Sequence, residues 1–239
     1  MHSIITIDAR YKGPPNSGNG GYACGLMAKE ITGAVEASLR RPPPLDTAMQ
    51  LKVDESGMQM LDGDTLVGTA KVVALDLDVP KLPTPLTLGI DPVDAPGRPS
   101  KFEPFATCFV CGHGRTHPDG LCIHSKLVDG NEGLVASRWI LNADFGGADG
   151  MVRPEILWAA LDCPGYFACA PGEAALLGRL TAEVIAPLAA TGEATVMGWD
   201  LGGEGRKRKC GTAVFDAGGA LVAKAEGLWI IVDPETLKG

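Results

Sequence analysis

No apolar run approaches the ~18 residues that a membrane-spanning helix needs, so the sequence excludes such a span. Met1 to Arg10 shows no basic start leading into an apolar core, and no secretion signal is expected. Positive charge is in deficit: 21 Lys+Arg stand against 29 Asp+Glu, for a net charge of −8. A generally acidic surface argues against broad nucleic-acid or anionic-membrane binding, while leaving room for a local basic patch that holds one phosphate group. A disulfide framework is also missing. The 7 cysteines are odd in number and irregularly spaced, which fits reduced thiols and a cytoplasmic location. Gly18-Asn19-Gly20 follows no convincing strand and the chain has no Gly-Lys-Ser/Thr ending, so dinucleotide and P-loop readings fail.

What remains is a globular composition, 45% hydrophobic and 21% charged over 239 residues. A chain of this length hides roughly 70–75% of its unfolded surface, so no metal or disulfide is needed for bulk stability. The 32 glycines and 18 prolines predict abundant turns and few long helices. Two segments read as helices. The first starts near Asn19, capped by Ser17 or Asn19, and runs through Tyr22, Leu26, Met27 and Ile31 towards Ala34, ending before Pro42-Pro43-Pro44. The second starts at Pro154 and continues through Ile156, Leu157, Trp158 and Leu161 until Pro164-Gly165 bends or interrupts it. Both are apolar on most sides, which predicts burial.

A strand-rich tail follows each helix, and the two tails resemble each other. Pro44-Leu45 precedes the alternating Met49–Val53, as Pro187-Leu188 precedes Thr195–Trp199. Asp62-Gly63-Asp64-Thr65 then matches Ala217-Gly218-Gly219-Ala220, each a turn feeding a long strand. The same order twice predicts a tandem duplication: a first repeat over 1–79, a proline-rich linker over 80–104 wrapped on the surface, and a second repeat over 105–239. The second copy carries an insertion, Gly202 to Gly211. A sheet curled around one central helix buries that helix on all sides, so the expected α+β architecture is two antiparallel sheets, each wrapped around its helix.

Cys108-Phe109-Val110-Cys111-Gly112, then Asp119-Gly120-Leu121, then a helix ending in Ala160-Leu161-Asp162, resemble the hotdog-fold acyl-CoA thioesterase superfamily. Asn19-Gly20-Gly21-Tyr22 resembles the glycine-led start of that family's central helix. The resemblance covers nearly the whole chain as a double hotdog, with the linker unmatched. It implies a catalytic acid at Asp162, as general base or nucleophile, and a helix start of one unit facing the acid of the other.

The residues support the same assignment. Asp162 is a carboxylate among Ile156, Leu157, Trp158, Ala159, Ala160 and Leu161, where an ionised group costs several kcal/mol unless it is paired or wetted. Burial raises its pKa towards neutrality, as suits a base that activates water. Gly20 and Gly21 offer unhindered N–H groups at the positive end of a helix for a developing oxyanion, and Asn16 and Asn19 orient water or carbonyl. Ala28 falls where Asp162 sits when the helix starts are matched, and Arg153-Pro154-Glu155 stands where many relatives have His-Gly-Gly; both predict a single active site.

Cys108-x-x-Cys111, followed by His113, His117, Cys122 and His124, supplies zinc-ligand residue types, but one CxxC lacks a second matching pair. The resembling thioesterases keep cysteines here without a metal, so a buried or turn-stabilising thiol pair is expected, with no metal. No cofactor is expected beyond coenzyme A as part of the substrate. Arg206-Lys207-Arg208-Lys209, in the inserted loop, is either a solvated charge run or a contact for coenzyme A phosphates. Trp139, Trp158, Trp199, Trp229 and Phe167 read as core, some lining an acyl tunnel. The expected activity is acyl-CoA thioester hydrolysis, by a monomer or a homo-oligomer of double units, with no nucleic-acid or membrane partner. The alternatives are a non-catalytic acyl-CoA or fatty-acyl binder, or a hotdog enoyl-CoA hydratase, which the lack of a close Asp/His pair disfavours.

Overall fold

A computed structural model describes residues 2–55, 57–95, 105–131 and 133–237. Eleven strands and three α-helices follow one another as β1 (His2–Thr6), α1 (Gly20–Ala28), β2 (Val35–Leu39), β3 (Ala48–Asp54), β4 (Gly57–Asp62), β5 (Thr65–Val72), β6 (Lys126–Leu127), β7 (Leu134–Ile140), α2 (Pro154–Ala160), α3 (Cys163–Cys169), β8 (Ala175–Val184), β9 (Glu193–Glu204), β10 (Lys207–Phe215) and β11 (Leu221–Ile231). All strand pairs are antiparallel and belong to one sheet in the order β1-β3-β4-β5-β2-β8-β11-β10-β9-β7-β6.

Two separate sheets were expected; one continuous sheet is observed. The join is β2 against β8, with Val35 opposite Ala182 and Ser38 opposite Arg179, braced by an Arg179–Glu36 ion pair at 3.3 Å. Joining the halves pairs two strand edges that would otherwise present open backbone groups. Outward from that join, the order is β2-β5-β4-β3-β1 on one side and β8-β11-β10-β9-β7 on the other, with β6 beyond. Each side therefore repeats one chain succession.

Residue patterns explain the two faces. In β3, Met49 and Leu51 are buried between exposed Ala48, Gln50 and Lys52, as a strand covered on one face requires. In β10, every residue from Cys210 to Phe215 is buried, because both faces are covered. The inner face meets the helices. On the outer face Met197, Trp199, Ala213 and Phe215 pack against Leu75, Leu77, Val79, Leu82, Leu86 and Leu88 of the segment that leads into and forms the proline-rich stretch. That stretch thus covers apolar sheet as well as lying on the surface; its Pro96, Pro99 and Pro104 fall outside the described residues.

Helix α1 has eight of its nine residues buried. It starts where expected, with the Asn19 side chain accepting from the Tyr22 N–H at 2.9 Å. It stops at Ala28, earlier than Ala34. α2 begins at Pro154 but ends at Ala160, and a separate α3 begins at Cys163 with Pro164 in its first turn. Asp162 therefore lies in the break between two helices, not inside one. Thr212 Oγ1 donates to the Leu161 carbonyl at 2.8 Å and satisfies an acceptor exposed by that break.

α1 and α2 pack antiparallel and very close. A methyl group at Gly21 would lie 2.6 Å from both the Trp158 carbonyl oxygen and the Asp162 Cβ; one at Gly25 would lie 2.5 Å from the Glu155 Cα. Only a residue without Cβ permits this approach at either turn. The Gly21/Gly25 pair, four residues apart on one helix face, thus sets how near Asp162 comes to the start of α1.

Candidate active site

The close helix pair delivers Asp162 to the N-terminus of α1. Asp162 Oδ2 accepts from the Gly21 N–H and from Asn19 Nδ2, both at 2.8 Å. Asn19 has two tasks in one side chain. Its oxygen caps α1 through Tyr22, which forces its NH2 group towards the acid. Asp162 is 2% exposed, and its second oxygen, Oδ1, has no hydrogen-bond partner among the described residues. Burial is the largest influence on its carboxyl and raises it from the ordinary 3.8 to about 7. The Gly21 N–H and Asn19 oppose that rise, and the Cys108 sulfur adds to it.

Asp162 opens onto a cavity of about 220 Å³. Asn19, Gly20, Cys108 and Cys163 are among its other lining residues; Leu39, Phe105, Leu177, Trp229 and Ile230 supply apolar wall. β2 contributes Leu39 and β8 contributes Leu177, so the cavity stands at the join between the half-sheets. Asn19 and Asp162 are buried whereas Arg40 and Arg41, also lining it, are exposed. The acid is deep, and the two arginines stand at the mouth.

Neither a family model nor a curated protein matches the sequence. Solved structures do match. The tesB protein of Mycobacterium avium subsp. paratuberculosis superposes at TM-score 0.62 and 13% identity, over 97% of this chain and 93% of that one. A protein of Novosphingobium aromaticivorans described as a candidate thioesterase gives TM-score 0.61 and 14% identity over 97% and 96%. A protein of Alicyclobacillus acidocaldarius, of unknown function and described as having a hotdog fold, gives 0.56 and 13% over 98% and 94%. The chain has the hotdog fold.

On this hotdog frame the residues singled out from sequence separate into two groups. Asn19, Gly20, Gly21 and Asp162 come together. Gly21 donates its N–H to the acid and does not line the cavity, whereas no described residue accepts from the Gly20 N–H. Asn16 is exposed and lines a smaller neighbouring cavity of about 100 Å³ with Pro15, Thr236 and Leu237. Arg206, Lys207 and Arg208 do not line the main cavity. The segment holding them is the tip of the β9–β10 hairpin, with Lys207 to Lys209 on strand β10. It lies one strand out from the cavity wall: Arg208 pairs with Trp229, and the Arg206 carbonyl accepts from the Ile231 N–H at 2.8 Å. Arg208 is also tied to Glu173 at 3.3 Å. Trp139, Trp158, Trp199 and Trp229 are buried, and only Trp229 lines the cavity. Phe167 is half-buried against the core.

The cysteine motif finds a partner that spacing could not reveal. Cys163, at the start of α3, brings its sulfur within 4.8 Å of those of Cys108 and Cys111, and 3.7 Å from Cys108. No histidine, carboxylate or fourth cysteine joins the three among the described residues, and a structural zinc site takes four donors. Bonding of the Cys108 sulfur with those of Cys111 and Cys163, together with the Val110 N–H at 3.4 Å, holds the Cys108 thiol well below the usual range. Cys111 and Cys163 are themselves pushed up, first by that shared bonding and then by burial. Arg40 and Arg41 were also missed. The dipeptide precedes three prolines and reads locally as a turn; only the β2–β8 join turns it to the cavity.

Proposed function

We propose that the protein hydrolyses acyl thioesters, with acyl-CoA as the substrate class. The observation that carries this reading is the state of Asp162: one oxygen is fixed by two donors, the other has no partner among the described residues, and the carboxyl is raised to about 7 at the cavity. A group so poised exchanges a proton near neutral pH. The reaction balances with water as the only co-reactant. Asp162 Oδ1 takes a proton from water, whose oxygen bonds to the thioester carbon. The carbonyl oxygen gains the negative charge, and the C–S bond then breaks as the sulfur takes the proton from Asp162. The Gly20 N–H, at the positive end of α1, suits the oxyanion. The general-base role is favoured over the nucleophilic one because Gly21 and Asn19 already hold Oδ2 in place. The names of two structural neighbours, at low identity, agree with a thioesterase.

We read the two halves, 1–79 and 105–239 with the proline-rich linker between, as repeats of one unit; the repeated strand succession about the β2–β8 join supports this. A hydratase reading loses ground because no histidine lines the cavity among the described residues. The non-catalytic acyl binder is the remaining rival, and one experiment separates the two. A panel of acyl-CoAs is incubated with the protein and a thiol reagent. Release of free CoA that is lost in Asp162→Ala supports hydrolysis. Saturable binding without release selects the binder, and equal release by Asp162→Ala and wild type removes the mechanism.

A further inference from the structure

Arg10, Arg115, Arg153, Arg179 and Arg208 each face a carboxylate within 4.0 Å. Arg40, Arg41, Arg138 and Arg206 face none among the described residues, and of these Arg40 and Arg41 line the cavity. Two adjacent cations left unpaired in a chain of net charge −8 repel each other unless an anion sits between or beside them.

Sheet register places them more closely. Ser38 lies opposite Arg179, so two residues on Arg40 reaches the level of Leu177; Leu177 is opposite Trp229, and Trp229 is opposite Arg208. The row Arg40–Leu177–Trp229–Arg208 therefore crosses four neighbouring chain segments, about 14 Å at the usual spacing of ~4.8 Å per strand. Its middle members are cavity wall and its ends are basic. The Arg208 end is neutralised by Glu173. The Arg40 end, with Arg41 beside it, keeps its charge free at the mouth.

We propose that Arg40 and Arg41 bind the phosphate of a phosphorylated pantetheine arm and so make this cavity selective for thioesters carried on such an arm. This rests on the thioesterase reading for the identity of the reacting end, but not for the phosphate site itself. Guanidinium groups form charge-assisted, often bidentate bonds to phosphate, and exposed ones remain sensitive to salt. The apolar wall between mouth and acid suits the uncharged part of the arm and the acyl group.

The test uses one acyl group on three carriers: CoA, phosphopantetheine and pantetheine. In the wild type, KM is expected to be about tenfold to a hundredfold lower for the two phosphorylated carriers than for pantetheine, narrowing as salt rises. In Arg40→Ala/Arg41→Ala that ratio should collapse towards one, with the melting temperature as a check on folding, and Arg40→Lys/Arg41→Lys should restore part of it. Preference for CoA over phosphopantetheine would identify the nucleotide carrier; equal use would leave a carrier-protein arm as an equal source of the phosphate. Collapse in Arg206→Ala/Lys207→Ala, but not in the Arg40/Arg41 variant, overturns the proposal, as does a wild type that does not discriminate. If no carrier ester is hydrolysed, the thioesterase reading fails alone. Calorimetric binding of CoA against pantetheine, in wild type and variant, then decides the phosphate site.

Discussion

Replacing Asp162 by asparagine should separate stability from catalysis. The carboxyl rises from 3.8 in an unfolded chain to about 7 when buried. The folded state therefore prefers the protonated acid. Its stabilising preference is complete below the unfolded value and is lost as pH rises through the folded value. A difference of about 3 units, at ~1.4 kcal/mol each, makes folding up to ~4 kcal/mol less favourable above pH ~7 than below pH ~4 on account of this one group. Asparagine is neutral throughout. Its oxygen can still accept from the Gly21 N–H and Asn19 Nδ2, so the close contact between α1 and the α2–α3 break is kept. All other carboxylates titrate alike in both proteins and cancel in the difference. The assay is denaturant unfolding of wild type and variant from pH 4 to 9. Asp162→Asn should match the wild type near pH 4, gain steadily between 4 and 7, and be more stable by ~2–4 kcal/mol above that, while hydrolysis falls by roughly 10²–10⁴-fold. A variant no more stable than wild type at pH 8, with native structure at pH 4, would refute the claim that the carboxylate is held at a cost.

Three other perturbations bear on the same geometry. In the wild type, kcat/KM for a thioester should increase about tenfold per pH unit below ~7 and level off above it, read from a pH–rate profile; a midpoint near 4 would contradict a buried base. Asn19→Asp keeps a good helix cap but places a second carboxylate where a donor to Asp162 stood, so that midpoint should move up by more than a unit. Gly25→Ala lies outside the cavity lining, yet its methyl would meet the Glu155 Cα at 2.5 Å; thermal unfolding should report a loss of about 1–3 kcal/mol, with reduced turnover as Gly21 and Asp162 are drawn apart.

Features set by neighbours in the chain were legible in the sequence. Asn19 caps α1 because its own side chain reaches Tyr22, Pro154 opens α2 because it needs no amide partner, and the turns at Gly63 and Gly218-Gly219 join the strands that flank them. Asp162 stood out because an ionised carboxylate amid Trp158 to Leu161 is costly unless it is paired or wetted. Features decided by distant register were not legible. The merger of two sheets depends on which edge β2 presents to β8, and nothing local in either strand encodes the choice. The same join turns Arg40 and Arg41 to the cavity, and the chain reversal at α3 carries Cys163 to Cys108 and Cys111. Arg206 to Lys209 read as an inserted, solvated hairpin loop because the first copy has no counterpart to Gly202 to Gly211. They remain a hairpin because, from Asp200 to Lys207, the β9–β10 tip is exposed on both faces and needs no apolar side.

The antiparallel packing of α1 and α2 also bears on the expectation of a single active site. It creates two places where the start of one helix meets the far end of the other. At the first, the Gly21 N–H meets Asp162, and Gly20 lines the cavity beside it. At the second, Gly25 meets Glu155 near the start of α2, and Ala28 lies one turn further along α1. Pro154, the first residue of α2 and the counterpart of Gly20, has no N–H to offer, and Ala28 has no carboxyl. The acid and the Gly20-type donor are thus missing together, and restoring one should not restore the other. Ala28→Asp would bury a carboxylate, at a position 3% exposed, beside Glu155 and against a helix start that has no N–H at the position Gly20 holds in α1. Its pKa should rise by ~3–5 units, and the protein should lose ~4–7 kcal/mol at pH 8 that it regains near pH 4. Turnover per chain should not exceed that of wild type. A variant that unfolds with wild-type pH dependence, or whose turnover doubles, would show that the second meeting point can host an acid after all, and that the asymmetry of this chain has another cause.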